Sequence, residues 1–535
     1  MSENSFLKGA AVLGAAGLIV KIIGAIYRIP LTNLMGTEGI GYFQPAYQVY
    51  NLLLVVSLAG FPTAVARLVS EKTAIGNPEG AHQVFKVALK VILLISVASS
   101  LFVFFFASSI AKYLGYPGSY YSLIALAPAL MVVPVMSVYR GYFQGMQNMM
   151  PTAYTQVIEQ IVRFATGISL AYILTATSLE MAAGGASFGA SAGGIAGFLL
   201  ILMIYYANRR KIKDRILEGN NNRTEDSQVI IKRLLAIVVP ITIGASIVPL
   251  MGLIDAKLVS MRLLAIGFTE VEATDMYGQL SGTAQTFINF PQVFSIAIAM
   301  SLVPSITNAH AKGDLNELRQ TTNLGMRTSL IIGLPSAMGL FILAEPIIAL
   351  FYPALGPDKH QSVGMLLAIL AISVVFLTLV QSLTAILQAL DRQRLPVKNL
   401  AVGAVVKIIL TYVLVGIPEL NVNGAAISTI AAYLTAAVLN YRDINRHTEV
   451  KVDIVSVAVR PMVASIIMGV IVYAAYQLGI GWVGMKVSAL IAIGVGVMVY
   501  VVALPITKTI TEEDMALLPK GETLHKLMKR LRLMH

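Results

Sequence analysis

Residues 5–34 read SFLKGAAVLGAAGLIVKIIGAIYRIPLTNL, a run whose only charges are Lys8, Lys21 and Arg28. A helix needs roughly 20 predominantly apolar residues to cross a bilayer, so this run predicts a membrane span. A cation at the centre of such a helix costs roughly 2.5–3.5 kcal/mol on insertion scales, and it therefore faces a cavity, a partner or a polar pathway. Lys21 and Arg28 stand seven residues apart, and at about 100° per residue their directions differ by only about 20°. Both cations face the same way.

The pattern continues outward from this run. Of 535 residues, 57% are apolar and 12% charged, against about 45–50% and about 25% in soluble domains. Further runs of spanning length lie near 40–62, 87–107, 120–138, 152–175, 183–206, 234–254, 278–304, 324–343, 363–389, 397–416, 424–440, 455–478 and 483–506. The expected fold is all-α and integral to the membrane, with 14 transmembrane helices, one for each of these runs, the opening one included. With the N-terminus placed inside, about 29 of the 39 basic residues, Arg140 among them, fall in loops on that side. The positive-inside rule then predicts that both termini are cytoplasmic. The net charge of +12 is better explained by orientation and by anionic lipid headgroups than by nucleic acid. Cysteine is absent and the six histidines show no paired ligand spacing, which removes disulfides, thiolate nucleophiles and cysteine zinc sites.

One long polar stretch, NRRKIKDRILEGNNNRTEDSQVIIKR at 208–233, has too few apolar residues to build a core and divides the chain into halves. The halves share punctuation: Pro62, Asn77, Gln144, Pro151, Arg163 and Gly185 find counterparts at Pro304, Asp314, Gln388, Pro396, Lys407 and Gly424. A common offset of about 240 residues marks an internal duplication. The expected organisation is a six-helix lobe at 1–207, the basic cytoplasmic linker at 208–233, a pseudo-symmetric six-helix lobe at 234–440, two further helices at 441–507, and a cytoplasmic tail at 508–535. Leu524, Leu527, Met528 and Leu531 alternate there with cations as an interfacial amphipathic helix would.

Arg163 and Lys407 are repeat mates near the middle of the fifth and eleventh spans, too deep to reach headgroups easily. With Lys21 and Arg28 they compose a candidate cationic cavity for one anion; the structural alternative is that these long side chains snorkel or pair. Glu159 lies one turn before Arg163, so an intrahelical ion pair is its plain reading and a gating role the other. Gln144, Gln388, Gln285 and Asn289 are amides that could bond sugar hydroxyls or neighbouring helices. Asp255, at the end of the seventh span, either binds a cation or stands at the interface. A cationic cavity with amide donors suits an amphiphile bearing phosphate and glycan, with arginine offering forked contacts to phosphate oxygens. Walker, HExxH and dinucleotide motifs are missing. GASFG and GASAG at 185–193 match G-x-S-x-G, but the nucleophile elbow needs a strand-to-helix turn, and here the glycines open an apolar helix.

Residues 5–71 together with YRGYFQGMQNMMPTAYTQVIEQIVR at 139–163 resemble the SpoVB and MurJ branch of polysaccharide exporters, in the MOP superfamily. The resemblance covers residues 5–507 in helix order and repeat. It implies an alternating-access flippase, not an enzyme, in the bacterial plasma membrane. The substrate it implies is a polyprenyl-diphosphate-linked saccharide, lipid II foremost, and the partners are membrane lipids and cell-wall synthases. Lys21 and Arg28 match basic residues lining the cavity of such relatives, and Asp255 falls where some place a sodium ligand. The arginines that proteobacterial members carry in the second and eighth spans are replaced here by Leu54, Val55 and Thr286. No cofactor is expected; Na+ or H+ are the candidate coupling ions. The alternatives are a flippase for another undecaprenyl-linked polysaccharide unit, a MATE-like cation-coupled drug exporter, and more distantly a membrane glycosyltransferase.

Overall fold

Gly36 sits at φ +67° and ψ −175°, in the middle of a helix of 53 residues. That backbone conformation is essentially open to glycine alone, and here it bends the helix sharply. A straight helix would hold Tyr27 and Tyr47 about 30 Å apart, yet both rings lie within 5.6 Å of the same guanidinium carbon, that of Arg163. Gly484, at φ +76° and ψ 167°, breaks the last long helix in the same way. Arg460 at the start of that helix donates to the Lys508 carbonyl just past its end, at 3.1 Å, although a straight helix would separate them by about 70 Å. The first bend falls between expected spans 1 and 2, and the second lies at the second residue of expected span 14, which starts at 483.

The computed structural model describes residues 3–219, 223–448, 453 and 455–509. Among them are helices and turns but no strand. Two compact units divide at Gly278. The first contains α1 (Glu3–Val55), α2 (Phe61–Ala74), α3 (Pro78–Leu114), α4 (Tyr120–Gly145), α5 (Met150–Thr175), α6 (Leu179–Ala207), α7 (Arg209–Leu217), α8 (Ser227–Ala265) and α9 (Glu270–Tyr277). The second contains α10 (Gln285–Lys312), α11 (Leu315–Ile342), α12 (Ala344–Phe351), α13 (Pro357–Ala389), α14 (Arg394–Leu414), α15 (Asn423–Thr448) and α16 (Arg460–Ile506). Among the described residues, 11 helices are long and apolar enough to cross a membrane, with bent α1 and α16 each counted once. The chain is a multi-pass, all-helical membrane protein. The run at 278–304 lies in a π-helical turn and α10, outside those 11.

The duplication is legible in each unit's own backbone. Gly76 and Gly313 both take φ +69° at a helix end, and the next residue, Asn77 or Asp314, caps the following helix through its side chain. Gln147 and Asp391 both take φ +58°. A Cβ on Gly185 would lie 2.9 Å from the Leu170 backbone, and one on Gly424 would lie 2.6 Å from the Leu414 backbone. Each pair repeats at the same offset of about 240 residues, as divergence from one ancestral half requires. The repeat assigns α8 to the second half, whereas by contacts it belongs to the first unit, packed on α1 and α3.

The linker is more ordered than its composition suggests. Residues 209–217 form α7, with Ile212 buried, and residues 223–225 are held by main-chain bonds to the start of α3. The Asn77 amide donates to the Arg223 carbonyl at 2.7 Å, and the Gln83 amide exchanges two bonds with the Glu225 backbone, at 2.6 and 2.9 Å. The Glu225 carboxylate pairs with Lys72 and, at 3.6 Å, with Arg233. The Lys72 ammonium bond, more than any other contact, holds the Glu225 carboxyl below its ordinary value of 4.5. A carboxyl lowered on folding contributes stability that is present above its unfolded value and lost as pH falls through its folded value. Amide exchange at Glu225 is therefore expected to stay protected from neutral pH to about 5 and to lose protection on further acidification. Glu225→Gln should weaken protection at neutral pH and flatten that acid step; an unchanged step would assign it to another group. The expected amphipathic helix of the tail lies outside the described residues.

Candidate functional site

The first unit assembles its polar interior by pressing α6 onto α5. A Cβ on Gly189 would sit 2.6 Å from the Arg163 carbonyl oxygen, and one on Gly193 would sit 2.4 Å from that of Glu159. Only glycine permits this approach, as small residues do wherever membrane helices pack backbone to backbone. The two G-x-S-x-G matches are therefore packing surfaces inside a helix. The Ser191 hydroxyl is engaged in α4, accepting from the Ala129 N–H at 3.1 Å and donating to the Ala125 carbonyl at 2.5 Å. It enters the helical ladder beside Pro128, where the missing N–H already weakens it.

This packing sets the depth of Arg163, whose half-buried side chain lies between α5 and α1. Its guanidinium carbon lies 5.6 Å from the Tyr27 ring centroid and 5.0 Å from that of Tyr47, on the two arms of bent α1. The Tyr27 ring is fixed by its hydroxyl, which donates to the Ala186 carbonyl at 2.8 Å, and by contact with Phe164 at 5.9 Å. Tyr47 stacks on Phe43 at 5.5 Å. A cation over an aromatic face gains about 0.5–1 kcal/mol when exposed and about 2 or more when desolvated. The arrangement holds an arginine in the bundle, and among the described residues no carboxylate pairs with it.

Glu159 takes Arg140 as its partner, at 2.9 Å, instead of Arg163. The intrahelical pair expected from spacing is thus corrected, and the reason lies in α4. That helix runs on to Gly145, so Arg140 is no loop cation but an arginine only 6% exposed. A guanidinium so placed requires a carboxylate. It also donates to the Thr155 hydroxyl at 2.9 Å. Gln144, one turn further along α4, bonds Thr152 at 3.1 Å, so its amide joins helices.

The remaining candidates are placed as follows. Lys21 is exposed on α1, while Arg28, Lys407 and Asp255 are half-buried on α1, α14 and α8, each with an interaction of its own. Gln285 and Asn289 are half-buried on α10, and Gln388 is exposed at the end of α13. Among the described residues no group of three or more carboxylates or imidazoles gathers to hold a metal ion. Tyr27, Tyr47 and Arg140 escaped the sequence reading. A usable signal existed for the tyrosines: Tyr favours the membrane interface, so tyrosines inside an apolar run ask for a polar partner.

A duplicated helical bundle with cations and aromatic rings among its apolar spanning helices defines an integral membrane protein with a polar interior. The pattern of the polysaccharide biosynthesis protein family matches residues 6–310, and that of the MatE family matches residues 281–413. The chain belongs to the polysaccharide biosynthesis protein family. It is 27% identical to stage V sporulation protein B of Bacillus subtilis (strain 168), over 85% of this chain and 86% of that one. It is 28% identical to the lipid II flippase MurJ of the same organism, over 88% of each. Its fold is shared with a solved structure of lipid II flippase MurJ in an inward closed conformation, at a TM-score of 0.71 and 17% identity, covering 93% of this chain and 98% of that one.

Proposed function

We propose that the chain is a flippase that carries a polyprenyl-diphosphate-linked saccharide, lipid II foremost, from the cytoplasmic to the outer leaflet by alternating access. The observation that carries this reading is the pairing of similarity to a lipid II flippase over 88% of each chain with an arginine held over tyrosine faces inside the bundle. Arg163, Lys21 and Arg28 are the groups proposed to receive the diphosphate, with Lys407 its repeat-related contact; guanidinium supplies forked hydrogen bonds to phosphate oxygens. Both termini are proposed to be cytoplasmic, in a bacterial plasma membrane, with cell-wall synthases as downstream partners. Coupling to Na+ or H+ is proposed, with Asp255 the candidate sodium ligand.

The MatE match over residues 281–413 favours one second reading, a cation-coupled drug exporter. The two differ in the charge they need, since an organic cation calls for buried carboxylates and a diphosphate for buried cations. Purified protein in vesicles seeded with lipid II on one leaflet is expected to raise its rate of exposure on the other at least tenfold over empty vesicles. An unchanged lipid II rate together with gradient-driven efflux of an organic cation would replace the first reading with the second.

A further inference from the structure

A slot of about 710 Å³ opens in the first unit between α1, α3 and α8, within the range of about 300–1,000 Å³ common to ligand pockets. It is remote in kind from the arginine site, because its walls are almost wholly apolar. From α3 come Phe102, Phe106 and Ile110, and from α8 come Leu250, Leu253 and Ile254. The spacing of three and four residues puts each set on a single helix face. Among the described residues nothing covers these faces: Phe102 and Phe106 are each 51% exposed. From Phe102 to Tyr113 the slot runs about 16 Å along α3, roughly half of a hydrocarbon core about 30 Å thick. It is the length of one leaflet.

At one end the chemistry changes. Lys257 of α8 lines the slot where α3 terminates at Gly115 in the left-handed conformation. Its ammonium donates to the Tyr113 carbonyl and lies 4.9 Å from the Tyr113 ring centroid. An ammonium carries three donors, so two remain to be shared with a ligand at the slot's mouth. An apolar channel one leaflet long that ends on a single cation is complementary to an amphiphile with one acyl chain and one negative charge.

We propose that this slot is a binding site for an anionic bilayer phospholipid, with an acyl chain between α3 and α8 and its phosphate on Lys257. A single cation matches a phosphodiester better than a diphosphate, and a polyprenyl tail would far overrun a channel of this length. The occupant is therefore a structural lipid of the surrounding leaflet that fills the gap between α8 and α3.

Trp482 is the only tryptophan in the chain, which permits a direct test. In the full chain carrying Trp482→Phe and Phe106→Trp, brominated phosphatidylglycerol in vesicles is expected to quench the new tryptophan with about fivefold preference over brominated phosphatidylcholine. Lys257→Gln should abolish that preference and Lys257→Arg should keep it. Native mass spectrometry of the otherwise unaltered chain provides a second readout: retained phosphatidylglycerol should be lost with Lys257→Gln and with Leu253→Trp, which fills the slot. Equal quenching by both lipids and no difference in retained lipid would overturn the proposal. So would relief of quenching by a polyprenyl monophosphate at levels where unlabelled phosphatidylglycerol has no effect.

Discussion

Arg163→Ala is expected to reduce lipid II exposure in reconstituted vesicles roughly 10- to 100-fold, the loss of about 1.5–3 kcal/mol that accompanies deletion of a hydrogen bond to a charged group. The substitution removes the cation between Tyr27 and Tyr47 but leaves the helix contacts in place, because α6 packs on the Arg163 backbone through Gly189 and not on the guanidinium. The loss of stability should therefore stay near the roughly 1–2 kcal/mol of the deleted cation–aromatic contacts. Arg163→Lys should fall between, since an ammonium keeps the charge and loses the fork that binds two phosphate oxygens. Tyr47→Leu separates a positioning role from a contact: losing the ring should weaken substrate binding without removing the charge, and the defect should shrink at saturating lipid II. If Arg163→Ala flips lipid II at the rate of the unaltered protein, this arginine is a structural cation and the diphosphate is received elsewhere.

The helical, membrane-embedded class was legible because apolar run length is a local property of the chain, and the duplication was legible because turns need residues of particular conformation at particular places. Gly76 with Gly313, and Gln147 with Asp391, are such places. What a sequence cannot display is which neighbour a side chain meets across two helices. Spacing alone joined Glu159 to Arg163, since residues four apart share a helix face. It could not reveal that α4 delivers a better partner, because the apolar run ends before Arg140 while the helix goes on to Gly145. The tyrosines round Arg163 stayed hidden for a related reason: they lie 20 residues apart in α1, and only the bend at Gly36 brings both to one guanidinium. The G-x-S-x-G matches show the converse case, in which context decides against a motif. The same glycines and serines serve close helix packing and the repair of a proline-weakened helix.

Arg140→Ala is expected to be the most destabilising single change in the first unit, at about 3–5 kcal/mol, the range found when one member of a buried ion pair is removed. Side-chain exposures of 8% for Arg140 and 17% for Glu159 leave the orphaned carboxylate little water to turn to, and Thr155 loses its donor as well. Glu159→Ala should cost a similar amount for the mirror reason. Glu159→Gln should cost less, since a neutral amide oxygen still accepts from the guanidinium without balancing its charge. The double change Arg140→Met with Glu159→Leu supplies the deciding comparison. Well-packed apolar replacements of a buried pair are often neutral or stabilising, so its thermal midpoint in detergent should return close to that of the unaltered protein, well above either single alanine variant. Should that double variant be as unstable as the singles, the pair contributes through α4–α5 packing rather than charge balance. Should it be stable yet fail to expose lipid II, the pair is retained for transport, and the gating role belongs to Arg140 and Glu159 together.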